Sequence, residues 1–335
     1  MLSVFSFAFN AVAPILLLVL LGYAIRQTGL FTPEFLRIAN RFNFHYCLST
    51  MLFLNLYNLE GLHSIDWSLG LFALAALAVL TAAGFVLANL ATDRRERKGV
   101  LIQAAVRSNF AIIGLPMAGA LAPGAIALAS AMQAPTVIYF NLMAVVVLSL
   151  YAEGDRGMDL SKAVSGIVHN PLIRGLLLGT AVLFLRGFVP RTADGALVFS
   201  LSGSMPWLFS ALNSVASMAT PMALVILGGQ FQFGAMRSVG RELTLGVLAR
   251  LLLAPAIGFG MAFAAEAMGL IDLTPAAVGV LVAMFGSPTA VSSVVMASEM
   301  GADDVLAGQL VVWTTIGSTV TLFCIIAALR AAGLL

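Results

Sequence analysis

Ten long stretches of apolar residues follow one another along the chain, and short segments with charges, glycine or proline separate them. A helix of about 20 apolar residues is long enough to cross the hydrocarbon core of a bilayer. The pattern therefore predicts an all-α polytopic membrane protein. Its ten predicted helices cover residues 4–25, 38–59, 67–91, 99–121, 125–151, 171–188, 200–228, 243–268, 274–299 and 305–329.

The amino-acid composition supports this fold class and argues against nucleic acid as a binding partner. Of the 335 residues, 61% are hydrophobic and only 10% are charged, and the mean hydropathy is +1.02, far above the values of soluble domains. The formal net charge of +2 lacks the strong basic excess of a nucleic-acid-binding protein. We therefore expect this chain to lie in the lipid bilayer and to bind no nucleic acid.

The few charged residues predict the orientation of the helices. Lysine and arginine concentrate in every second connection, and cytoplasmic loops of membrane proteins carry such an excess. The alternation predicts that both termini lie outside and that the protein lies in a bacterial-type inner membrane. The cations are Arg26, Arg37, Arg41, Arg94, Arg95, Arg97, Lys98, Arg156, Lys162, Arg237 and Arg241.

With this orientation, helices one to five and helices six to ten cross the membrane in opposite directions. The sequence thus predicts two inverted repeats, residues 1–151 and 171–335, an arrangement common in secondary transporters. The polar segment 152–170 is predicted to be a cytoplasmic linker between them.

Proline, glycine and small polar residues interrupt the fourth helix of each half at corresponding positions. The fourth predicted helix holds Arg-Ser-Asn-Phe at 107–110 and Ile-Gly-Leu-Pro at 113–116, and the ninth holds Phe-Gly-Ser-Pro-Thr at 285–289. A proline removes a backbone donor and frees a carbonyl, and in hydrocarbon such groups need a partner or a ligand. One such proline alone would indicate a packing kink. The matched pair favours a binding site where the two helices cross.

These motifs resemble the auxin efflux carrier family, which includes plant auxin exporters and bacterial permeases for malonate and related organic acids. The resemblance covers nearly the whole chain and rests on the order of the motifs. The matching residues are Ser108, Asn109, Gly114, Leu115, Pro116, Asn170, Pro171, Thr220, Pro221, Met222, Ala223, Leu224, Leu227, Gly228, Arg250, Pro255, Ser287, Pro288, Thr289, Ala290, Glu299, Gly301 and Asp303.

The resemblance implies a carrier of five plus five inverted helices, in which helices four and nine cross at their prolines. It also implies elevator-type alternating access, with helices one, two, six and seven as a scaffold, the others as a moving transport domain, and a homodimer formed through the scaffold. One residue departs from the family. Ser49 in helix two stands where many members have a proline, whereas Pro221 in helix seven is retained, and this bears on the shape of the scaffold.

The predicted substrate site lies at the crossing and suits a small organic anion, because helix ends there would aim backbone N–H groups at the ligand. For Arg107 and Arg250, two interpretations stay open: substrate contact, or extension of the side chain to the cytoplasmic interface. For Asn141 we prefer a hydrogen bond between helices. The candidate substrate-binding residues are Arg107, Asn109, Pro116, Gln133, Arg250, Gly286, Ser287, Pro288, Thr289 and Ser292.

The predicted helices hold no obvious carboxylate at mid-membrane, where a proton-coupled carrier commonly has its proton-carrying group. Glu266 and Glu299 lie near predicted helix ends, and packing explains His45, a lone histidine in an apolar helix, better than proton transfer does. Coupling to H⁺ or Na⁺ stays open, since Asn, Ser and backbone carbonyl oxygens at an unwound segment can coordinate Na⁺. No cofactor is predicted.

The sequence lacks the parts of an enzyme. Its three histidines fall in different segments, no nucleophile lies beside a base, and there is no phosphate-binding GxxxxGK[ST] loop. The first hypothesis is a secondary carrier for small organic anions, such as malonate-like dicarboxylates or auxin-like indole acids. The alternative is a channel, or a structural or signalling membrane protein without carrier activity.

Overall fold

The computed structural model describes residues 2–58, 66–151, 170–190, 198–231 and 239–335, without the side chains of residues 2–12 and 134. Within these ranges the chain forms helices joined by short turns, and the one strand-like feature is an isolated antiparallel bridge between Ser108 and Thr289. The all-α fold class is confirmed for the described residues. Of the predicted linker, residues 152–169 lie outside them.

The described part of the first half of the chain contains seven α-helices. A π-helical turn, Asn43–Leu48, joins the second to the third, and a second π-helical turn, Phe110–Gly114, precedes the sixth. The helices are α1 (Leu2–Gln27), α2 (Pro33–Phe42), α3 (Ser49–Tyr57), α4 (Trp67–Ala91), α5 (Arg95–Val106), α6 (Leu115–Leu121) and α7 (Ala125–Tyr151).

The second half contains nine α-helices in its described part. Two further π-helical turns, Ala249–Leu253 and Val282–Gly286, follow the fifth and the seventh of them. The helices are α8 (Pro171–Arg186), α9 (Leu201–Ser204), α10 (Pro206–Ser217), α11 (Ala219–Gln230), α12 (Gly240–Leu248), α13 (Ala254–Ala267), α14 (Pro275–Leu281), α15 (Ser292–Glu299) and α16 (Asp304–Ala331).

Several helices are long and apolar enough to cross a membrane. In the described part of the chain these are α4, α10 with α11, α12 with α13, and α16, and the two parts of α7 make a fifth if they cross as one bent span. The predicted bounds 67–91 and 125–151 match α4 and α7. The fourth and ninth predicted helices, in contrast, are each divided in two.

Polar residues before the apolar runs fix where several helices begin. Asp66 accepts hydrogen bonds from the backbone N–H groups of Ser68 and Leu69 at the start of α4. The Ser68 hydroxyl donates to the same carboxylate oxygen (2.6 Å) and holds the pKa of Asp66 below its usual range. Asn170 and Asp303 likewise accept backbone N–H bonds at the starts of α8 and α16. These caps satisfy donors that the first turn of a helix leaves unpaired.

Two helices from opposite halves of the chain, α1 and α11, pack backbone against backbone. A Cβ atom on Gly228 would overlap the carbonyl oxygen of Val19, and one on Gly22 would overlap that of Val225. Small residues allow this close approach between membrane helices, where packing rather than hydrophobicity drives association. The two glycines therefore determine the distance between α1 and α11.

Ser49, the residue that replaces a family proline, belongs to a second close contact between the halves. Its hydroxyl donates to the carbonyl oxygen of Phe44 (3.2 Å), across the π-helical turn that leads into α3. A Cβ atom on Gly175 of α8 would lie 2.5 Å from the Ser49 carbonyl oxygen. The chain thus enters α3 through a π-helical turn without a proline, and α3 packs closely against α8.

Gly228→Ala should lower the melting temperature of the purified protein, because the added methyl group forces α1 and α11 apart. Such overpacking costs about 1–3 kcal/mol. Gly260→Ala is the matched control, since an added Cβ there meets no atom within 4 Å and alanine favours a helix over glycine. A thermal unfolding assay in detergent compares them. Equal melting temperatures for both variants would contradict the close contact.

Candidate functional site

The break after α5 meets the break after α14 as a short antiparallel pair. Arg107 has extended backbone angles (φ −82°, ψ 98°) and ends the helix. The Asn109 N–H donates to the Pro288 carbonyl oxygen (2.8 Å), and the Ala290 N–H donates to the Arg107 carbonyl oxygen (3.0 Å). With the bridge between Ser108 and Thr289, these bonds define the crossing, residues 107–109 and 287–290.

The crossing lies at one of the two predicted prolines. Pro288 is part of it, and Ser287 before it is extended (ψ 150°), as expected for a residue that precedes proline. Pro116, in contrast, lies in the first turn of α6, directly after the π-helical turn Phe110–Gly114 and outside the crossing. The expectation that both helices cross at their prolines is therefore wrong for the fourth helix, which breaks at residues 107–109.

The Arg250 side chain ties the two broken helices together. It extends from the π-helical turn Ala249–Leu253 and is completely buried. Its Nε donates to one backbone carbonyl oxygen, and each of its two Nη atoms donates to two more, at 2.8–3.2 Å. These five acceptors belong to Ala105, Val106, Met284, Phe285 and Ser287.

This geometry differs from both interpretations of Arg250 that the sequence left open. The guanidinium group does not extend to an interface, because it is 0% exposed. Arg250 is also not among the residues that line a cavity that lies beside the crossing. Its backbone carbonyl partners come from α5, from the turn after α14 and from the crossing, so Arg250 connects these three segments.

A cavity of about 430 Å³ opens beside the crossing, between α3, the turn before α6 and α7. Apolar side chains such as Met51, Phe110 and Phe140 form part of its wall. The size falls in the usual range for small-molecule sites. The polar residues that line the cavity are Asn55, Asn58, Arg107, Ser108, Asn109, Ser130, Gln133, Asn141 and Ser292.

Arg107 brings a buried positive charge to this cavity. The residue is 5% exposed, its Nη2 donates to the Asn141 side-chain oxygen (2.7 Å), and its Nη1 contacts the sulfur of Met296. Both partners are neutral. Among the described residues, neither Arg107 nor Arg250 forms an ion pair with a carboxylate. The Asn141 side chain also donates to the Val137 carbonyl oxygen, so it orients the guanidinium group of Arg107.

Several buried polar atoms in or near the crossing have no hydrogen-bond partner within the described chain. They include Asn109 Nδ2 and the hydroxyl oxygens of Ser108, Ser287 and Ser293. A buried donor without a partner costs about 1–3 kcal/mol, and such groups are rare in native structures. Asn109 and Ser108 are among the residues that line the cavity, while these two polar atoms are themselves covered by the chain.

Residues 7–326 match the model of a family described as membrane transport protein. The chain belongs to this family. The resemblance of its motifs to the auxin efflux carriers is thereby confirmed. Membership in the family and the apolar helices together make the chain a multi-pass membrane transport protein.

Two relatives are similar to this membrane transport protein. Protein PIN-LIKES 2 of Arabidopsis thaliana is 30% identical over 162 residues, which are 48% of this chain and 34% of the relative. The chain thus spans about a third of that relative's length. An uncharacterized transporter of Methanothermobacter thermautotrophicus is 25% identical over 325 residues, 95% of this chain and 97% of the relative.

The structure divides the ten predicted site residues of the membrane transport protein into two groups. Four of them line the cavity: Arg107, Asn109, Gln133 and Ser292. The other six do not line it, and five of these lie within or next to the crossing. One of the five is Thr289, whose hydroxyl donates to the Ala104 carbonyl oxygen. These six residues are Pro116, Arg250, Gly286, Ser287, Pro288 and Thr289.

Five polar residues of the cavity are not among the predicted site residues: Asn55, Asn58, Ser108, Ser130 and Asn141. The spacing of Asn55 and Asn58 was an available signal, because residues three apart share one face of a helix. They lie at the end of an apolar run, where polar residues are ordinarily taken as the approach to a loop.

Carboxylates of the membrane transport protein contact cations away from the cavity. Arg97 bonds to Glu242 (2.9 Å) and Asp303 (2.8 Å), which joins α5, α12 and the start of α16. Glu299, predicted to lie near a helix end, ends α15 and accepts a bond from Asn40 of α2 (2.9 Å). In the described part of the chain, no three His, Cys, Asp or Glu residues are grouped so that they could hold a metal ion.

Proposed function

We propose that the protein is a secondary carrier for small organic anions and that the cavity beside the crossing is its substrate site. One observation carries the proposal: the buried guanidinium group of Arg107 lines the cavity and has only neutral partners. A charge inside the membrane is costly unless a partner offsets it. A carboxylate in the cavity supplies that partner.

The lining of the cavity supports carboxylates as the substrate class. Arg107 offers a charge-assisted donor, and Asn109 and Ser108, whose polar side-chain atoms have no partner within the described chain, lie beside it in the lining. The apolar wall suits a hydrocarbon or aromatic body. Malonate-like dicarboxylates and auxin-like indole acids are the two classes to which we assign the substrate.

We further propose alternating access of the elevator type, in a ten-helix chain of two inverted repeats, residues 1–151 and 171–335. Helices from the proposed scaffold pack as pairs across the halves, α1 with α11 and α3 with α8, and this supports the division. The antiparallel pairing of the two breaks supports an inverted arrangement. A homodimer through the scaffold and a location in a bacterial-type inner membrane complete the proposal.

Asn109→Ala should weaken carboxylate binding about 10-fold or more without lowering the melting temperature. The substitution removes a donor to the anion, worth about 1.5–3 kcal/mol, and Asn109 Nδ2 has no partner within the described chain to lose. Isothermal titration with malonate and indole-3-acetate, beside a thermal unfolding assay, measures both quantities.

Asn43→Ala provides the matched control for Asn109→Ala. Asn43 is also buried, but its Nδ2 donates to the Ala219 carbonyl oxygen (3.0 Å), away from the cavity. This variant should lose stability and keep its affinity. If Asn109→Ala behaved like the control, the cavity would not be the binding site.

The proposed orientation predicts opposite accessibility at two loop positions. Glu96→Cys should react with a membrane-impermeant maleimide only from the cytoplasmic side, and Asp194→Cys, which lies outside the described residues, only from the outer side. Cys47 and Cys324 are replaced by alanine in the labelled chain. Labelling of both positions from one side would contradict the inverted repeats, because an even number of crossings would then separate them.

A further inference from the structure

The carbonyl groups that accept hydrogen bonds from Arg250 are those at the ends of broken helices. Ala105 and Val106 end α5, while Met284 and Phe285 belong to the turn after α14. Carbonyl oxygens at a helix C-terminus carry partial negative charge, because no following turn pairs them. In transporters with broken helices, such carbonyl ends are where a Na⁺ ion is coordinated.

Arg250 matches this set of acceptors in number and geometry. A guanidinium group has five N–H donors in a fixed plane, and Arg250 makes five bonds at 2.8–3.2 Å. Since each carbonyl has a donor within the chain, the side chain supplies both the positive charge and the ligand contacts that a metal ion would otherwise supply.

A second cation at this position would meet repulsion. Arg107 follows Val106 directly in the chain, and the described residues place no carboxylate against either guanidinium group. Like charges repel strongly where the dielectric constant is low.

We propose that Arg250 is a tethered cation that replaces Na⁺ at the crossing: it holds the carbonyl ends of both broken helices together and makes the site independent of Na⁺. This inference rests on the proposed carrier function. It names the residue that holds the crossing together, Arg250, and the ion that the site does not need, Na⁺. Arg250 is thus a positioning residue, and the substrate is left to Arg107 and Asn109.

The first test uses the unaltered protein and needs no substrate. The melting temperature of the purified protein should be equal in NaCl, KCl and N-methylglucamine chloride at the same ionic strength, since no Na⁺ binds to the folded state. A saturable rise of the melting temperature with Na⁺ would overturn the proposal. Because the readout is stability, a failure to find any bound carboxylate would refute the carrier function and leave this result valid.

The second test removes the tethered cation and supplies a free one. Arg250→Ala should lower the melting temperature, because five buried carbonyl groups lose their donors, and ethylguanidinium chloride at about 10 mM should restore part of the loss by binding in the vacated space. Ethylguanidinium should leave the unaltered protein unchanged. Arg241→Ala is the control, since Arg241 is exposed and donates to one carbonyl, that of Leu90.

A lowered melting temperature that ethylguanidinium does not raise would assign Arg250 a packing role and overturn the proposal. Should Arg250→Ala fail to fold, Arg250→Lys takes its place. Lysine keeps the charge but has only three donors. This variant should therefore fold but melt at a lower temperature than the unaltered protein, and its melting temperature should stay insensitive to Na⁺. A melting temperature equal to that of the unaltered protein would overturn the proposal.

Discussion

Arg107→Gln should weaken carboxylate binding about 100-fold while the protein stays folded. A charge-assisted hydrogen bond to a buried anion contributes about 2–3 kcal/mol, and each 1.4 kcal/mol is a factor of ten in affinity. The stability should not fall, because Arg107 has neutral partners and its charge is buried without an ion pair in the described chain. Glutamine can still donate to the Asn141 side-chain oxygen.

Isothermal titration and thermal unfolding of the same preparation measure the two effects of Arg107→Gln. Arg95→Gln is the matched control, since Arg95 begins the same helix but is exposed and lies outside the cavity. An unchanged dissociation constant in Arg107→Gln would show that the cavity does not hold the carboxylate. A large loss of stability would show that the charge of Arg107 serves the fold instead.

Arg97→Met should destabilise the protein by about 3–5 kcal/mol and lower its melting temperature by about 10 °C. The side chain of Arg97 is 7% exposed and pairs with Glu242 and Asp303, which are themselves largely buried. Removing the arginine leaves two buried carboxylates without their shared cation. The three helices that it joins would separate more easily.

Arg41→Met is the control for Arg97→Met, because the Arg41 side chain is 72% exposed and lies 3.9 Å from Glu299. Exposed pairs contribute about 0–1 kcal/mol, so this variant should melt close to the unaltered protein. The same thermal unfolding assay compares the two. Equal small losses would mean that the pairing of Arg97 does not hold these helices together.

The sequence predicted the spans of the molecule well where one run of residues decides them. The bounds of α4 follow from an unbroken apolar run, an N-cap at Asp66 and polar residues after Ala91. The break in the fourth helix was harder, because proline marks a lost donor but not the partner that stabilises an unwound segment. That partner is the backbone of residues 288–290, far away in sequence.

The candidate site divides in the same way. Arg107, Asn109, Gln133 and Ser292 were predictable, because polar side chains stand out in apolar helices. The position of Arg250 was not, since its acceptors are backbone carbonyl groups, which every residue has and no sequence pattern reveals. Asn55 and Asn58 were not predicted, because they lie about 50 residues before the crossing in the chain and the sequence does not show that α3 lies beside it.

Counterflow in proteoliposomes tests the central claim, carrier activity for organic anions, most directly. Vesicles that contain the purified protein are loaded with unlabelled indole-3-acetate or malonate, and uptake of the labelled compound from outside is followed. We predict that, for at least one of the two, uptake saturates with concentration, is faster into loaded than into empty vesicles, and is lost in Arg107→Gln. Flux that rises linearly and ignores the internal load, or no flux of any carboxylate tried, would contradict a carrier.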